Sequence, residues 1–138
     1  MNYLRYFPLM AVLFAVYNIA MLAGVNFEEN PALFGIPHLT REAPIPFGAS
    51  DLLIGIAAIL LYLEIMKASR VSRSTVVDHM LSMFVFIAFL VEMITVAGAG
   101  TATFILLTLI SLIDVIAGFT ISIATARRDF TVGNDGMG

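Results

Sequence analysis

The chain has 138 residues, 60% of them hydrophobic and 12% charged, with no cysteine and a formal net charge of −3. A soluble domain carries roughly a quarter of its residues as charges, so this composition excludes an ordinary soluble fold. Without cysteine there are no disulfides, thiolate metal sites or thiol redox chemistry, and no basic patch suits nucleic acid.

The apolar residues fall in four long blocks. They predict an all-α polytopic membrane protein, with four transmembrane helices in one antiparallel bundle over residues 1–128 and a polar tail at 129–138. The short alternating runs of an outer-membrane barrel are missing. The first block lacks a small-residue cleavage site leading into a soluble domain, so it reads as a retained span.

Span one covers about residues 8–25. Tyr3 and Tyr6 suit an interface anchor, and Pro8 is tolerated at a helix start. Ala11, Ala15, Asn18 and Leu22 share one helical face. The connection over 26–47 holds Pro31, Pro37, Pro44 and Pro46, interleaved with Leu33, Phe34, Ile36, Leu39, Ile45 and Phe47. That proline density argues against a helix and for a structured cap lying on the membrane surface.

Span two covers about 50–66, with Ser50 as N-cap and Asp51 in the first turn, at the positive end of the helix dipole. Asp51, Gly55, Ala58 and Tyr62 share a face. Glu64 lies three residues before Lys67, where it can pair with it and reach the interface. Thr75-x-x-Asp78 resembles a capping box that opens span three, about 76–97. Asp78, Ser82, Val85, Phe89 and Glu92 line one face of that span. The turn Gly98–Thr101 is short enough to make spans three and four an antiparallel hairpin.

Arg5, Lys67, Arg70, Arg73, Arg127 and Arg128 fall on one side of this arrangement and Arg41 alone on the other. Positive charge concentrates on the cytoplasmic side of spanning helices, which predicts both termini in the cytoplasm.

Span four, about 102–126, carries Asp114 near its middle. An ionisable residue at membrane depth faces protein or water and is a functional-site hypothesis by default. Thr108, Ser111, Asp114, Gly118, Ser122 and Thr125 form one small or polar face, opposite Ile, Leu, Val and Phe. Counting from the outer helix ends at ~1.5 Å per residue puts Asp114 and Tyr62 in one middle layer, ~18 Å deep. The same count puts Glu92 and Asn18 in the outer third, roughly 10 Å from Asp114 in depth and too far for a dyad sharing one proton.

Most polar residues have ordinary roles open to them. Serine and threonine hydroxyls bond their own helix or a neighbour, Asn18 suits helix–helix contact, and Asp51, Glu64 and Asp78 suit capping and interfacial pairing. His38 and His79 lie near opposite surfaces, suit surface or packing roles, and cannot share a metal. Glu92 and Asp114 are the exceptions. No zinc-binding spacing, phosphate loop or nucleophile elbow is present, so no cofactor, metal or enzymatic activity is expected.

Asp51-Leu52-Leu53, Glu64-Ile65-Met66-Lys67, His79-Met80-Leu81-Ser82, Val91-Glu92, Leu112-Ile113-Asp114 and Ala126-Arg127-Arg128-Asp129-Phe130 give the stretch from Ser50 to Phe130 its character. In these it resembles small four-span bacterial inner-membrane proteins without assigned function. The resemblance implies an inner-membrane setting and no mechanism. Small multidrug exporters place an essential glutamate in the first span, where this chain has Asn18. Quinone-linked thiol oxidoreductases need cysteines.

Three functions follow as expectations. The first is assembly, as a homo-oligomer or an accessory subunit of a membrane complex, through small faces that include Thr108, Gly118, Ser122, Gly55 and Ala58. The second is a proton or cation pathway through Asp114 and Glu92, supported by Tyr62, Asn18 and Ser111. The third is binding of a lipid or quinone between the helices.

Overall fold

The computed structural model describes residues 7–69 and 75–134, and the side chains of all of these except 75, 76, 78 and 125–134. In chain order the elements are α1 (Leu9–Leu22), β1 (Ala32–Ile36), β2 (Ile45–Gly48), α2 (Ala49–Ala68), α3 (Thr75–Thr95), a 3-10 turn (Ala97–Ala99) and α4 (Ala102–Asn134). The fold is mostly helical. Among the described residues two helices are long and apolar enough to cross a membrane, Ala49–Ala68 and Ala102–Ala124. α1 has 14 residues. It spans only ~21 Å, less than a ~30 Å hydrocarbon core.

Two features depart from the all-α expectation. The proline-rich connection folds back as an antiparallel hairpin, with Phe34 opposite Phe47 and Ile36 opposite Ile45, and the two phenyl rings stack at 4.9 Å. Prolines are compatible with such a two-stranded ribbon because each strand has an open edge that needs no donor. The polar tail, set apart from the helical domain at 129–138, instead continues α4 as helix to Asn134. Tyr3, Tyr6, Arg5, Arg70 and Arg73, the Thr75–Asp78 capping pair, and the side chains of Thr125, Arg127 and Arg128 lie outside the described residues.

α4 packs against α3 and α2, and α1 packs against α2 and α3. The ring order is therefore α1, α2, α4, α3, with α1 diagonal to α4. The hairpin and the 3-10 turn lie together at one end, which we call the hairpin end; Lys67 marks the far end.

Local chemistry sets the helix limits. α1 stops where Gly24 takes a left-handed conformation, φ 86°, and the Val25 amide returns to the Ala20 carbonyl at 3.0 Å. This is the glycine-ended cap that lets a chain leave a helix at little strain. α2 starts one residue before the expected Ser50, with Gly48 as N-cap. Asp51 Oδ2 accepts the Gly48 amide at 2.8 Å, and Ser50 instead donates its hydroxyl to the Phe27 carbonyl at 3.1 Å. The Thr101 hydroxyl caps α4 by accepting the Phe104 amide at 3.2 Å.

The core joins Met10, Leu13 and Tyr17 of α1, Leu53 and Ala57 of α2, Phe89 of α3, and Phe104 and Leu107 of α4. Its rings interlock. Phe14 meets Phe89 edge-on at 4.9 Å, Phe89 meets Phe104 at 5.4 Å, and Tyr17 stacks on Phe27 at 4.5 Å.

Candidate functional site

The polar face of α4 turns inward. Thr108, Ser111 and Asp114 are buried, while Leu106, Leu109, Ile113 and Ile116 on the other side are exposed. A helix with one face of small and polar residues buries that face against its neighbours and leaves its apolar face to the surroundings. Thr108 returns its hydroxyl to its own helix, donating to the Phe104 carbonyl at 2.8 Å. Ser111 does not. Its Oγ, with Oδ2 of Asp114, is buried with no hydrogen-bond partner among the described residues. Ser111 is 0% exposed and Asp114 4%. Buried polar atoms are nearly always partnered, so each orphan calls for an explanation.

Residues from three helices converge around Asp114. Across the interface with α3 lies Ser82, itself buried, whose hydroxyl interacts with the Asp114 carboxyl. From α2 come two charged neighbours, Glu64 and Lys67. Glu64 is only 6% exposed, and both of its oxygens are engaged: Oε2 accepts the Leu9 amide at 2.9 Å and Oε1 meets Lys67 Nζ at 3.3 Å. Lys67 also reaches the Phe7 carbonyl, at 3.4 Å. Glu64 and Lys67 thus hold the start of α1 while flanking Asp114.

One turn further toward the far end, His79 of α3 lies in a notch on α4. Its Nε2 is 2.7 Å from Ser122 Oγ, and its ring lies 5.8 Å from that of Phe119. A methyl group at Gly118 would collide with the imidazole, so the glycine is what admits the ring.

A second polar layer lies near the hairpin end. Asn18 Nδ2 donates to Glu92 Oε2 at 3.0 Å and to the Phe14 carbonyl at 3.0 Å. The other Glu92 oxygen, Oε1, is buried without a partner among the described residues. Next to it Tyr17 joins α1 to the turn before α4, its hydroxyl 2.8 Å from Thr101 Oγ1 and donating to the Gly98 carbonyl at 3.2 Å. Along α3 and α4, Phe89 and Leu107 stand between these residues and those around Asp114 and are fully buried, whereas Phe104 is level with Tyr17, their rings 4.7 Å apart. Phe89 and Leu107 form an apolar band.

The candidate residues therefore divide. Glu92 and Asn18 meet, as the count along the helices implies, and Asp114 lies elsewhere, beside Ser82 and one turn from Ser111. Tyr62 is a correction: it is 61% exposed and faces away from Asp114. Gly55 and Ala58 are exposed with it on the outside of α2, so the packing face expected there meets none of the other three helices. Gly118 and Ser122 do pack, against His79. Sequence reasoning missed Glu64, His79 and Tyr17 as members of the polar layers. For His79 no signal existed, since it lies on the flank of α3, well away from the face that carries Glu92.

No family model, curated protein or solved structure matches this chain. Among the described residues no group of three or more histidine, aspartate or glutamate side chains could hold a metal ion.

Proposed function

We propose that the chain is a small integral protein of the bacterial inner membrane in which Asp114 takes up and releases a proton or small cation, with Glu92 as a second protonatable site. One observation carries this reading: a carboxylate oxygen deep in the bundle, Asp114 Oδ2, is unpartnered beside an equally unpartnered hydroxyl, Ser111 Oγ. A buried polar group with only a structural role would be paired, as Thr108 is with its own helix. Passage from Asp114 to Glu92 along the bundle would require motion of the buried Phe89 or Leu107. The test is ion and proton flux in proteoliposomes. Flux is expected to fall strongly in Asp114→Asn and less in Glu92→Gln; unchanged flux in both variants sinks the proposal. Four spans with both termini cytoplasmic complete it, on the strength of the basic residues grouped on one side. Because the chain has no native cysteine, single cysteines introduced in the tail and in the 37–44 loop report sidedness by labelling in intact cells.

A second reading, assembly with another copy or another subunit, draws on α2. Nothing lies within 4 Å of where a side chain at Gly55 would begin, and Ala58 and Tyr62 beside it face outward. Small residues let a neighbouring helix approach closely. Crosslinking in membranes that finds no partner, together with a detergent monomer unaffected by Gly55→Leu, removes this reading.

A further inference from the structure

Ser111 and Asp114 are one turn apart on the same face of α4, where Cβ atoms lie ~5–6 Å from each other. Had their oxygens met within hydrogen-bonding distance, each would have satisfied the other. Both are buried without a partner instead. A proton on Asp114 would remove its charge and still leave the Ser111 hydroxyl without a bond. A species lying between the two oxygens satisfies both at once.

The donors on hand are all oxygen: the Asp114 carboxylate, the Ser111 hydroxyl and, from α3, the Ser82 hydroxyl. Oxygen-only sets suit hard cations, which take such ligands at roughly 2.3–2.6 Å and so bridge oxygens up to ~5 Å apart. Charge then selects the valence. The site has one free carboxylate, because Glu64 is committed to the Leu9 amide and to Lys67. Lys67 adds positive charge nearby, so a divalent ion would be left uncompensated in a buried position, at a large desolvation penalty. On the hairpin side Leu107, one turn from Ser111 on the same face of α4, is fully buried, and such apolar surroundings favour a small ion stripped of its water over a hydrated one.

We propose that Asp114 and Ser111 of α4, completed by Ser82 of α3, form a binding site for one dehydrated monovalent cation of about the size of sodium. This deepens the reading of Asp114 as the working group and rests on it. The test uses the full chain purified in detergent at constant ionic strength, with choline chloride replaced stepwise by sodium, lithium, potassium or magnesium chloride. Sodium is expected to raise the Tm in a saturable way, with lithium similar, potassium weaker and magnesium without effect. Ser111→Ala and Asp114→Asn abolish the rise, and Thr95→Ala, which removes an exposed hydroxyl that bonds its own helix, keeps it. If Asp114→Asn does not fold, sodium-23 NMR line broadening by the wild type and its loss in Ser111→Ala decide the matter. Equal Tm values in choline and sodium, a rise that survives Ser111→Ala, or a larger rise with magnesium would each overturn the site. Proton flux that disappears in Asp114→Asn while the wild type shows no sodium effect overturns the cation site and leaves Asp114 as a proton carrier; absence of both effects removes both proposals.

Discussion

Oε2 of Glu64 accepts the backbone amide of Leu9 at 2.9 Å, so a carboxylate on α2 caps the first turn of α1. The α1 start has no side-chain cap of its own, because its N-cap is Pro8. The negative charge also faces the positive end of the α1 dipole. Glu64→Ala is expected to destabilise the protein by ~1–3 kcal/mol, the usual range when a buried donor loses a charged partner. Glu64→Gln keeps an acceptor for Leu9 and loses only the charge, for a smaller drop of ~0.3–1 kcal/mol. Unfolding of both variants in mixed micelles checks the order; equal losses would show that capping is not what Glu64 contributes.

Asn18 and Glu92 tie α1 to α3 at 3.0 Å. Interhelical hydrogen bonds in membranes average ~0.6 kcal/mol, with a maximum near ~1.7 kcal/mol. A double-mutant cycle with Asn18→Ala and Glu92→Ala is expected to give a coupling in that range. Zero coupling would mean that the pair contributes position and no stability.

Two glycines respond in opposite ways to the same change. At Gly118 an added methyl group meets the His79 ring, whereas at Gly55 it meets nothing within 4 Å. Gly118→Ala displaces His79 from Ser122 and is expected to destabilise by ~1–3 kcal/mol, as overpacking does. Gly55→Ala is expected to be neutral or stabilising by up to ~1 kcal/mol through helix propensity. Thermal unfolding of the two variants side by side is the measurement, and His79→Ala combined with Gly118→Ala should recover part of the loss.

At the hairpin end, Asn30 accepts the Ser50 amide at 2.9 Å and donates to Asp51 at 2.9 Å, with its own backbone at φ 40°. Asparagine is among the few residues that adopt this left-handed conformation readily. Asn30→Ala removes both bonds and strains the turn, so the hairpin should detach from α2. Limited proteolysis is expected to cut the 37–44 loop several-fold faster in the variant, with helix content unchanged by circular dichroism.

The helices and the close pairing of α3 with α4 were legible from the length of the apolar blocks and the short Gly/Ala turn. The inward face of α4 was legible because its two sides differ in chemistry. The facing of α2 was not. Both its outer side and its core side are apolar or small, so Gly55, Ala58 and Tyr62 look like an inner stripe although they point outward. The Glu64–Lys67 pair was legible from its spacing, but the burial of Glu64 was not, because a long acidic side chain near a helix end is equally compatible with reaching out to an interface, and only the arrival of the Leu9 amide from α1 turns it in. The hairpin escaped because proline density excludes helix without saying what replaces it. The spacing along α3 and α4 did carry depth, and it separated Asp114 from Glu92.

The apolar band of Phe89 and Leu107 has an electrical consequence for the proposed pathway. Moving one elementary charge through a full membrane potential amounts to ~2.3 kcal/mol per 100 mV. If the helices span the bilayer as proposed, a charge passing between Asp114 and Glu92 takes up a part of that energy in crossing the band, so its transfer depends on voltage.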